Sequence, residues 1–539
     1  MIQKNEDLLP VIGLEIHVEL DTETKMFCRC RNRFGDPPNT NTCPVCIGMP
    51  GVLPVMNRQA VELALKVGLA LDCTVPDFTK WDRKSYYYPD LPKNYQISQY
   101  DLPLAINGHL EVPLSGGRTK TIGVRRAHLE EDAGKNVHDF PAHTGVDLNR
   151  AGVPLLEIVT EPQLNSVEEV MAFARSMQRL VRWLGASRAN MQMGHMRFEP
   201  NISLWIGDPE KVFDPAAGGF TPIFEVKNLN SFRALERTCE WVIDYHRSRI
   251  AERGGEWTLE KVGKQNWGYR DDVEVCEFQR GKEEAHDYRY FPDPDLVPVI
   301  VDDAWRQRAG RQIGELPIAR KARYLAQYKL SEKEADALTE DAPTGDLLDR
   351  AVAAGAAPKR VVNLMLGRMM AVANERGGTL AEVGVSADQL TELAKMIDDG
   401  KVNATAGEKI LTTLIAEASS SSAAGRGSKR DPSRLEASLP TRRDAVGQET
   451  DRARGVSGSS PMAIAQKLNL LAVTDSSAVA AWVDQAIAAN PAPAEQVRTG
   501  DKKAKAAFGF LMGAVMKLSG GKAPPAAVKE LLEKKLGAK

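Results

Sequence analysis

The chain reads as α+β up to about residue 299 and as all-α from 300 onward, on three observations. Short strand-like runs such as VIGLEIHVEL and VPLLEIVT alternate with Gly/Pro turns in the first part. Two amphipathic helix patterns interrupt them there. Past Ile300 the strand signals fade, and segments of helical period joined by Gly-containing turns take over.

In VIGLEIHVEL the alternation sets Ile12, Leu14, Ile16 and Val18 on one face of a strand and Glu15, His17 and Glu19 on the other. A helix is expected to start at a capping box of Ser166 with Glu169. It runs through Val170, Phe173, Met177, Leu180 and Leu184 to a stop at Gly185. A second starts near Ser231 and ends before Gly254 and Gly255. Further helices are expected over Val361–Glu375 and Leu390–Ile397, the latter entered through Ser386 and Gln389. From Ala418 to Ser460 large apolar residues are scarce and Ser, Gly, Arg and Asp abound, so this stretch is expected to be a disordered insertion. Helix-like runs at Met462–Leu471 and Ala478–Ala489 follow. The domain boundaries expected on this pattern are 7–299, 300–417, 418–460 and 461–539.

With 539 residues, 43% of them hydrophobic, the chain can bury several cores. No stretch approaches the roughly 18 uninterrupted apolar residues of a membrane span. The N-terminal residues lack the basic and apolar regions of a secretory signal, so a cytoplasmic protein with no membrane partner is expected. The net charge of −2 conceals a basic end: Arg498–Lys539 holds nine lysines and Arg498 against Asp501, Glu530 and Glu533. Such an end favours a polyanion; a solvated helix face is the plainer alternative.

Cys28, Cys30, Cys43 and Cys46 form a C-x-C and a C-x₂-C knuckle separated by twelve residues. Four thiolates from two short loops suit a tetrahedral Zn²⁺ whose role is structural, since no coordination position stays open. Glu15 and His17 offer a hard cation such as Mg²⁺ a carboxylate and an imidazole, and in RRAHLEEDAGK Arg125 and Arg126 precede Glu130 and Glu131. Acids and arginines this dense can hold metal and polyphosphate together. Each also has a plain reading, a polar strand face and a charged loop. No G-x-x-x-x-G-K-[ST] loop is present, so any ATP sits on another architecture. No nucleophile constellation suggests that this chain releases ammonia from glutamine itself.

Taken in order, VIGLEIHVEL, PGVLPVMN, DRKSYYYPDLPKNYQISQYDLP, RAHLEEDAGK, DLNRAGVPLLEIVTEP, FEVKNLNSF and DYRYFPDPDLVP resemble the GatB family, the B-subunits of the bacterial aspartyl/glutamyl-tRNA amidotransferases. The end, KAKAAFGFLMGAVMKLSGGKAPPAAVKELLEKKL, is similar to the YqeY-like tail of that family. The resemblance implies a cradle domain related to glutamine synthetase and the guanido kinases, then all-α helical and tail domains, the tail meeting tRNA. It implies an ATP-dependent carbon–nitrogen ligase: the side-chain carboxylate of Asp-tRNA(Asn) or Glu-tRNA(Gln) is phosphorylated, then amidated. The ammonia would come from glutamine through the amidase, or A-subunit, of the complex. A small C-subunit and, in some assemblies, the cognate aminoacyl-tRNA synthetase are the further partners implied.

Carried over onto this sequence, the resemblance makes Glu15, His17, Glu130 and Glu131 the Mg²⁺-binding and catalytic set. Arg125, Arg126, Glu157, Asn201 and Lys227 would line the nucleotide site, and Lys84, Tyr88, Asp90 and Lys93 the ammonia passage. Where members often carry Asp in the MRxDxN segment, this chain has Glu199 and Pro200 in MRFEPN, so Glu199 is left out of the ligand set. The competing class is a non-catalytic tRNA-binding scaffold, with salt-sensitive tRNA binding and no tRNA-dependent ATP hydrolysis.

Overall fold

A computed structural model describes residues 8–138, 142–281, 288–426, 459–473, 475–500 and 503–537. The chain divides into two compact units, Met1–Ala319 and Arg320–Lys539.

The first unit is α+β and is built on a nine-stranded mixed sheet. Its strands are β1 (Leu8–Glu19), β2 (Ala105–Pro113), β3 (Thr119–Glu131), β4 (Pro154–Thr160), β5 (Met196–Gly207), β6 (Gly218–Phe220), β7 (Ile223–Lys227), β8 (Lys264–Arg270) and β9 (Val275–Gly281). They lie in the order β9-β8-β7-β5-β1-β4-β3-β2, with β6 added beside β5. Only β7 and β8 run parallel. β1 is therefore central, and its alternation is decisive. Ile12, Leu14, Ile16 and Val18 are at most 1% exposed and share a core with Val170, Phe173 and Met177 of α1 (Val167–Trp183) and Leu235 and Val242 of α2 (Phe232–Arg253). With one face committed to the helices, Glu15 and His17 are left to the other.

The expected helices form, with three differences in detail, one being that the run expected over Met462–Leu471 is helical only over Pro461–Lys467. Ser166 caps α1 by accepting from the Glu169 amide, but the Glu169 carboxylate accepts from Asn165 instead of closing back onto Ser166, so the capping box is half made. Ser386 and Gln389 form a complete one. The Val361–Glu375 pattern is realised as Pro358–Leu364 and Met370–Arg376, joined by a π-helical turn, Met365–Met369, in which Gly367 departs from helical geometry.

Among the described residues the second unit is all helix, from Glu332–Leu338 to Pro525–Leu536, around two cores. One gathers Tyr324 to Ile415 and is completed by Ile464 and Ala465; the other runs from Val479 to Leu536. The stretch expected to be an insertion from Ala418 begins as helix: Ala404–Arg426 continues into it, because Ser and Ala tolerate a helix that a packed first half has already nucleated. Residues 427–458 of that stretch lie outside the described residues.

Candidate active site and cysteine centre

Strand register assembles the candidate site. Across β5, β1, β4 and β3, Glu199 stands opposite Glu15, Glu157 opposite His17, and His128 opposite Glu157. His17, Glu157 and His128 thus form one row across three adjacent strands. His17 Nε2 lies 3.6 Å from Glu15, 3.7 Å from Glu130 and 3.5 Å from Glu157, and its Nδ1 is 3.9 Å from Glu199. His128 Nε2 lies 3.7 Å from Glu157 and 3.9 Å from Glu130. Glu130, Glu157 and His128 are buried, which concentrates charge where water is scarce.

That crowding displaces the titration of all five groups. Burial, helped by the charge of Glu157, lifts the Glu15 and Glu130 carboxyls to about 7. Burial opposes a charge on His17, yet the hydrogen bond with Glu157 and the charges of Glu199, Glu157 and Glu130 outweigh it and raise the imidazole to about 9. For His128 burial prevails over Glu157, and the ring is held neutral down to about 4. Burial would raise Glu157, but His128 and His17 hold it well below the usual carboxylate range. The ring nitrogens Nδ1 of His17 and of His128 are buried without a hydrogen-bond partner. Ligand atoms of Glu15, His17 and Glu157, and again of His128, Glu130 and Glu157, fall within 4.8 Å of one another. An excess of carboxylates gathered around the Nε2 atoms of His17 and His128 is a donor set that a divalent cation can occupy.

Two clefts open on this cluster and share Glu15 and Arg126. One, about 580 Å³, is lined by Lys84, Gln99, Tyr100, His128, Glu157 and Tyr290. The other, about 570 Å³, adds Arg125, Asn201, Phe213, Phe220, Glu225 and Lys264, and is the more apolar in its side chains. Arg126 reaches Glu157 at 3.6 Å, and its Nε is buried without a partner. Arg125 is tied at 2.8 Å to Glu161 at the rim. Lys227 bridges Glu199 at 2.7 Å and Glu225 at 3.0 Å, which keeps it charged despite burial.

Two groupings expected from the sequence are not brought together. Glu131 points to the opposite side of β3 from Glu130, as strand alternation requires. There it pairs with Lys93 and accepts from the Ile97 amide at 3.0 Å, so it is no part of the carboxylate–histidine cluster. The four passage residues also separate. Lys84 sits in the first cleft, where Glu130 and Glu157 keep its ammonium charged against burial, with the Tyr288 ring 4.9 Å away. Lys93 goes with Glu131, Tyr88 is largely exposed, and Asp90 contributes its carbonyl to Gly134. The ligand set read from sequence omits His128, although its two-residue spacing from Glu130 places both on one strand face.

The cysteine sulfurs of Cys28, Cys30, Cys43 and Cys46 also lie within 4.8 Å of one another, a closed set of four soft donors suited to one tetrahedral ion. A hydrogen bond from Cys28, opposed by burial and aided by Lys25, holds the Cys46 thiol well below its ordinary range. The knuckle packs closely on its surroundings. Gly48, at φ +71°, has no room for a Cβ, which would stand 2.6 Å from Lys93 Cγ; at Gly152, φ +86°, one would stand 3.4 Å from Cys46 Cβ.

A mixed sheet that gathers carboxylates, imidazoles and arginines beside two clefts, without a glycine-rich phosphate loop, suits a catalytic domain able to accept a metal. Family models sharpen this. The GatB/GatE catalytic domain matches residues 10–307, and the GatB domain matches 346–426 and 454–536. The chain is 39% identical over 528 residues to the aspartyl/glutamyl-tRNA(Asn/Gln) amidotransferase B-subunit of Oleidesulfovibrio alaskensis, covering 98% of this chain and 99% of that one. It is 40% identical over 530 residues to the protein of the same name from Geobacter sulfurreducens, covering 98% of each. The corresponding protein of Moorella thermoacetica is also 40% identical, over 529 residues, 98% of this chain and 99% of that protein. The chain belongs to the GatB family of tRNA-dependent amidotransferase subunits. No helix among the described residues is long and apolar enough to cross a membrane.

Proposed function

We propose that this chain is the carboxylate-activating component of a glutamine-dependent aspartyl/glutamyl-tRNA amidotransferase, a carbon–nitrogen ligase. The observation that carries the reading is the cluster of Glu15, His17, Glu130, Glu157 and His128 at the junction of two clefts that share Glu15 and Arg126. ATP would lie in the cleft lined by Phe213 and Phe220, its base against the rings and its phosphates toward Arg126. The Asp or Glu side chain carried on tRNA would enter the other cleft, where Lys84 offers its carboxylate a cation.

In the first step a carboxylate oxygen takes the γ-phosphoryl group and ADP leaves. Ammonia then attacks the acyl carbon, phosphate departs, and a proton is lost to leave the amide. Mg²⁺, held by Glu15, His17, Glu130 and Glu157, would supply charge neutralisation for the transferring phosphoryl group. Arg126 would orient phosphate oxygens, and the buried walls would keep water from the acyl phosphate. Arg125, Asn201 and Lys227 belong to the rim and frame of the nucleotide cleft. Lys84, Tyr88, Asp90 and Lys93 remain our candidates for the ammonia passage, and the pairing of Glu131 with Lys93 adds Glu131 to them. We take Zn²⁺ as the ion of the four cysteines, in a structural role, and the sheet as a cradle of the glutamine synthetase and guanido-kinase type. The amidase (A-subunit), the small C-subunit, tRNA and at times a synthetase would complete a cytoplasmic assembly, with the 461–539 tail on tRNA.

The test is ATP hydrolysis by the chain reconstituted with its amidase partner. Hydrolysis stimulated by Asp-tRNA(Asn) or Glu-tRNA(Gln), with Asn-tRNA or Gln-tRNA appearing only when ATP and an ammonia source are both present, is the expected result. Salt-sensitive tRNA binding without any tRNA-stimulated ATP hydrolysis would return the chain to the scaffold class.

A further inference from the structure

Lys25 is fully buried, 0% exposed, and is among the largest side chains so enclosed. A buried ammonium is costly unless an opposite charge answers it. Among the described residues no carboxylate lies within ion-pair distance of it. Glu131, which borders Gly152 together with the Lys25 stem, is engaged by Lys93. The partners of Lys25 Nζ are Cys46 Sγ at 3.7 Å and the Leu148 carbonyl at 3.3 Å. Its backbone amide donates to the Cys30 carbonyl at 3.0 Å, so Lys25 touches both knuckles, one with its backbone and one with its side chain. The next amide, that of Met26, donates to Gly152, whose Cβ position is bounded by Cys46 and by the Lys25 stem.

Four thiolates around a divalent ion leave two negative charges uncompensated. An ammonium beside one sulfur offsets one of them and donates a hydrogen bond that fixes that ligand's direction. We infer that Lys25 is the counter-cation of the cysteine centre: its charge offsets that of the tetrathiolate at Cys46, the buried one of the four ligands, and its bond to Leu148 ties the metal loop to the segment leading into β4. The inference rests on the tetrathiolate reading of Cys28, Cys30, Cys43 and Cys46. It adds a fifth residue to that centre, one that no ligand-spacing pattern contains. It also gives the buried lysine an answering charge at Cys46, the one of the four ligands that is itself buried.

The experiment compares zinc retention in the full chain and in two variants, Lys25→Gln and Lys25→Arg. Gln keeps a donor for the Leu148 carbonyl and removes the charge; Arg keeps the charge. Zinc content by atomic emission, the rate of zinc transfer to a chromophoric chelator, and the thiolate-to-metal charge-transfer band after cobalt(II) substitution are the readouts. Lys25→Gln is expected to lose zinc about tenfold faster or more, the usual scale for an outer-shell partner of a metal ligand. Its cobalt band should shift, and Lys25→Arg should stay near the wild-type rate. Should Lys25→Gln fold only with excess zinc, the outcome counts for the inference, provided Lys25→Arg folds without it. Equal release rates and an unmoved band in Lys25→Gln would overturn it, as would equal loss from both variants at matched thermal stability, which assigns Lys25 to packing. A wild-type chain that holds no zinc would instead overturn the tetrathiolate reading.

Discussion

Among its described residues the first unit holds two groups of side chains able to ligate a metal, and they are made in opposite ways. The cysteine centre takes four donors from two short loops within nineteen residues of sequence. The carboxylate–histidine cluster takes its donors from β1, β3 and β4, spread from Glu15 to Glu157, and only strand register brings them together. One is a closed set of soft sulfurs with no position for substrate. The other is an over-acidic set between two clefts, gathered around the Nε2 atoms of two histidines. A loop site can shape its surroundings; a register site is rigid enough to place charge where a reaction needs it. The consequences of damaging each should differ in kind.

The largest effect is expected at the register site. Glu130→Gln preserves shape but removes a buried charge that faces His17 and His128. Turnover should fall by about 10²–10³-fold or more, the scale of a lost preorganised charge, with tRNA affinity within a few fold of wild type. Glu15→Ala should behave alike. Glu131→Gln sharpens the comparison, because Glu131 is one residue away but on the opposite face with Lys93. Its loss should be concentrated in the glutamine-fed reaction and be much smaller when ammonium is supplied directly. Steady-state assays with each nitrogen source decide this. Equal collapse of Glu130→Gln and Glu131→Gln under both would show that face does not separate their roles.

The same contrast explains what is legible in the chain. Cysteine spacing is a local signal, so the closed set is visible in the sequence and the fold brings its sulfurs together. Alternation in β1 is equally local, and Glu15 and His17 fall on one face as it requires. Glu130 and Glu131 are grouped by adjacency, but in a strand adjacent residues diverge; the period-2 rule applied to RAHLEED selects His128 and Glu130 instead. Glu157 becomes a member only through its register with both histidines, which no single segment specifies. Lys25 is silent for the same reason: its partners are Cys46 and Leu148, and nothing in TKMFC marks a buried cation. In the second unit, capping at Ser386 is legible, whereas the π turn at Gly367 follows from helix packing that local sequence leaves open.

A smaller and purely structural effect is expected from the loop site. Cys30→Ser should release zinc and lower the thermal midpoint of the first unit by several degrees, in keeping with a loss of about 1–2 kcal/mol in a unit of this size. The knuckle buttresses Lys93 at Gly48, so kcat should fall modestly and far less than in Glu130→Gln. Calorimetry and assay of the same preparation test both halves. A Cys30→Ser chain with full stability but abolished turnover would reverse the assignment and make the cysteine centre the chemical one.

The smallest effect, a pH drift, distinguishes the two sites by their protons. Glu15 and Glu130 are raised to about 7 and His17 to about 9, so the magnesium-free folded chain keeps protons that the unfolded chain has released. Where the folded state binds more protons, stability falls as pH rises. The contribution of the two carboxyls is whole below about 4.5 and lost through about 7, and that of His17 is whole below 6.5 and lost through about 9. His128, lowered to about 4, acts oppositely, gaining stability from about 4 to 6.5, so the net decline shows clearly only above 6.5. In zinc-loaded, magnesium-free protein the zinc thiolates, which the unfolded chain protonates, raise the midpoint with pH, so the share of the cluster is read as a lower slope between pH 6.5 and 9 in wild type than in His17→Gln. Added Mg²⁺ should remove that difference by taking the place of the protons, which buffer-dependent calorimetry would detect as proton release. His17→Gln should remove the upper part of the drift and leave the lower, whereas Cys30→Ser, by taking zinc from thiolates that the unfolded chain protonates, should steepen the decline. A slope between pH 6.5 and 9 that His17→Gln leaves unchanged would mean that the cluster does not hold these protons, and its reading as a cation site would lose its electrostatic support.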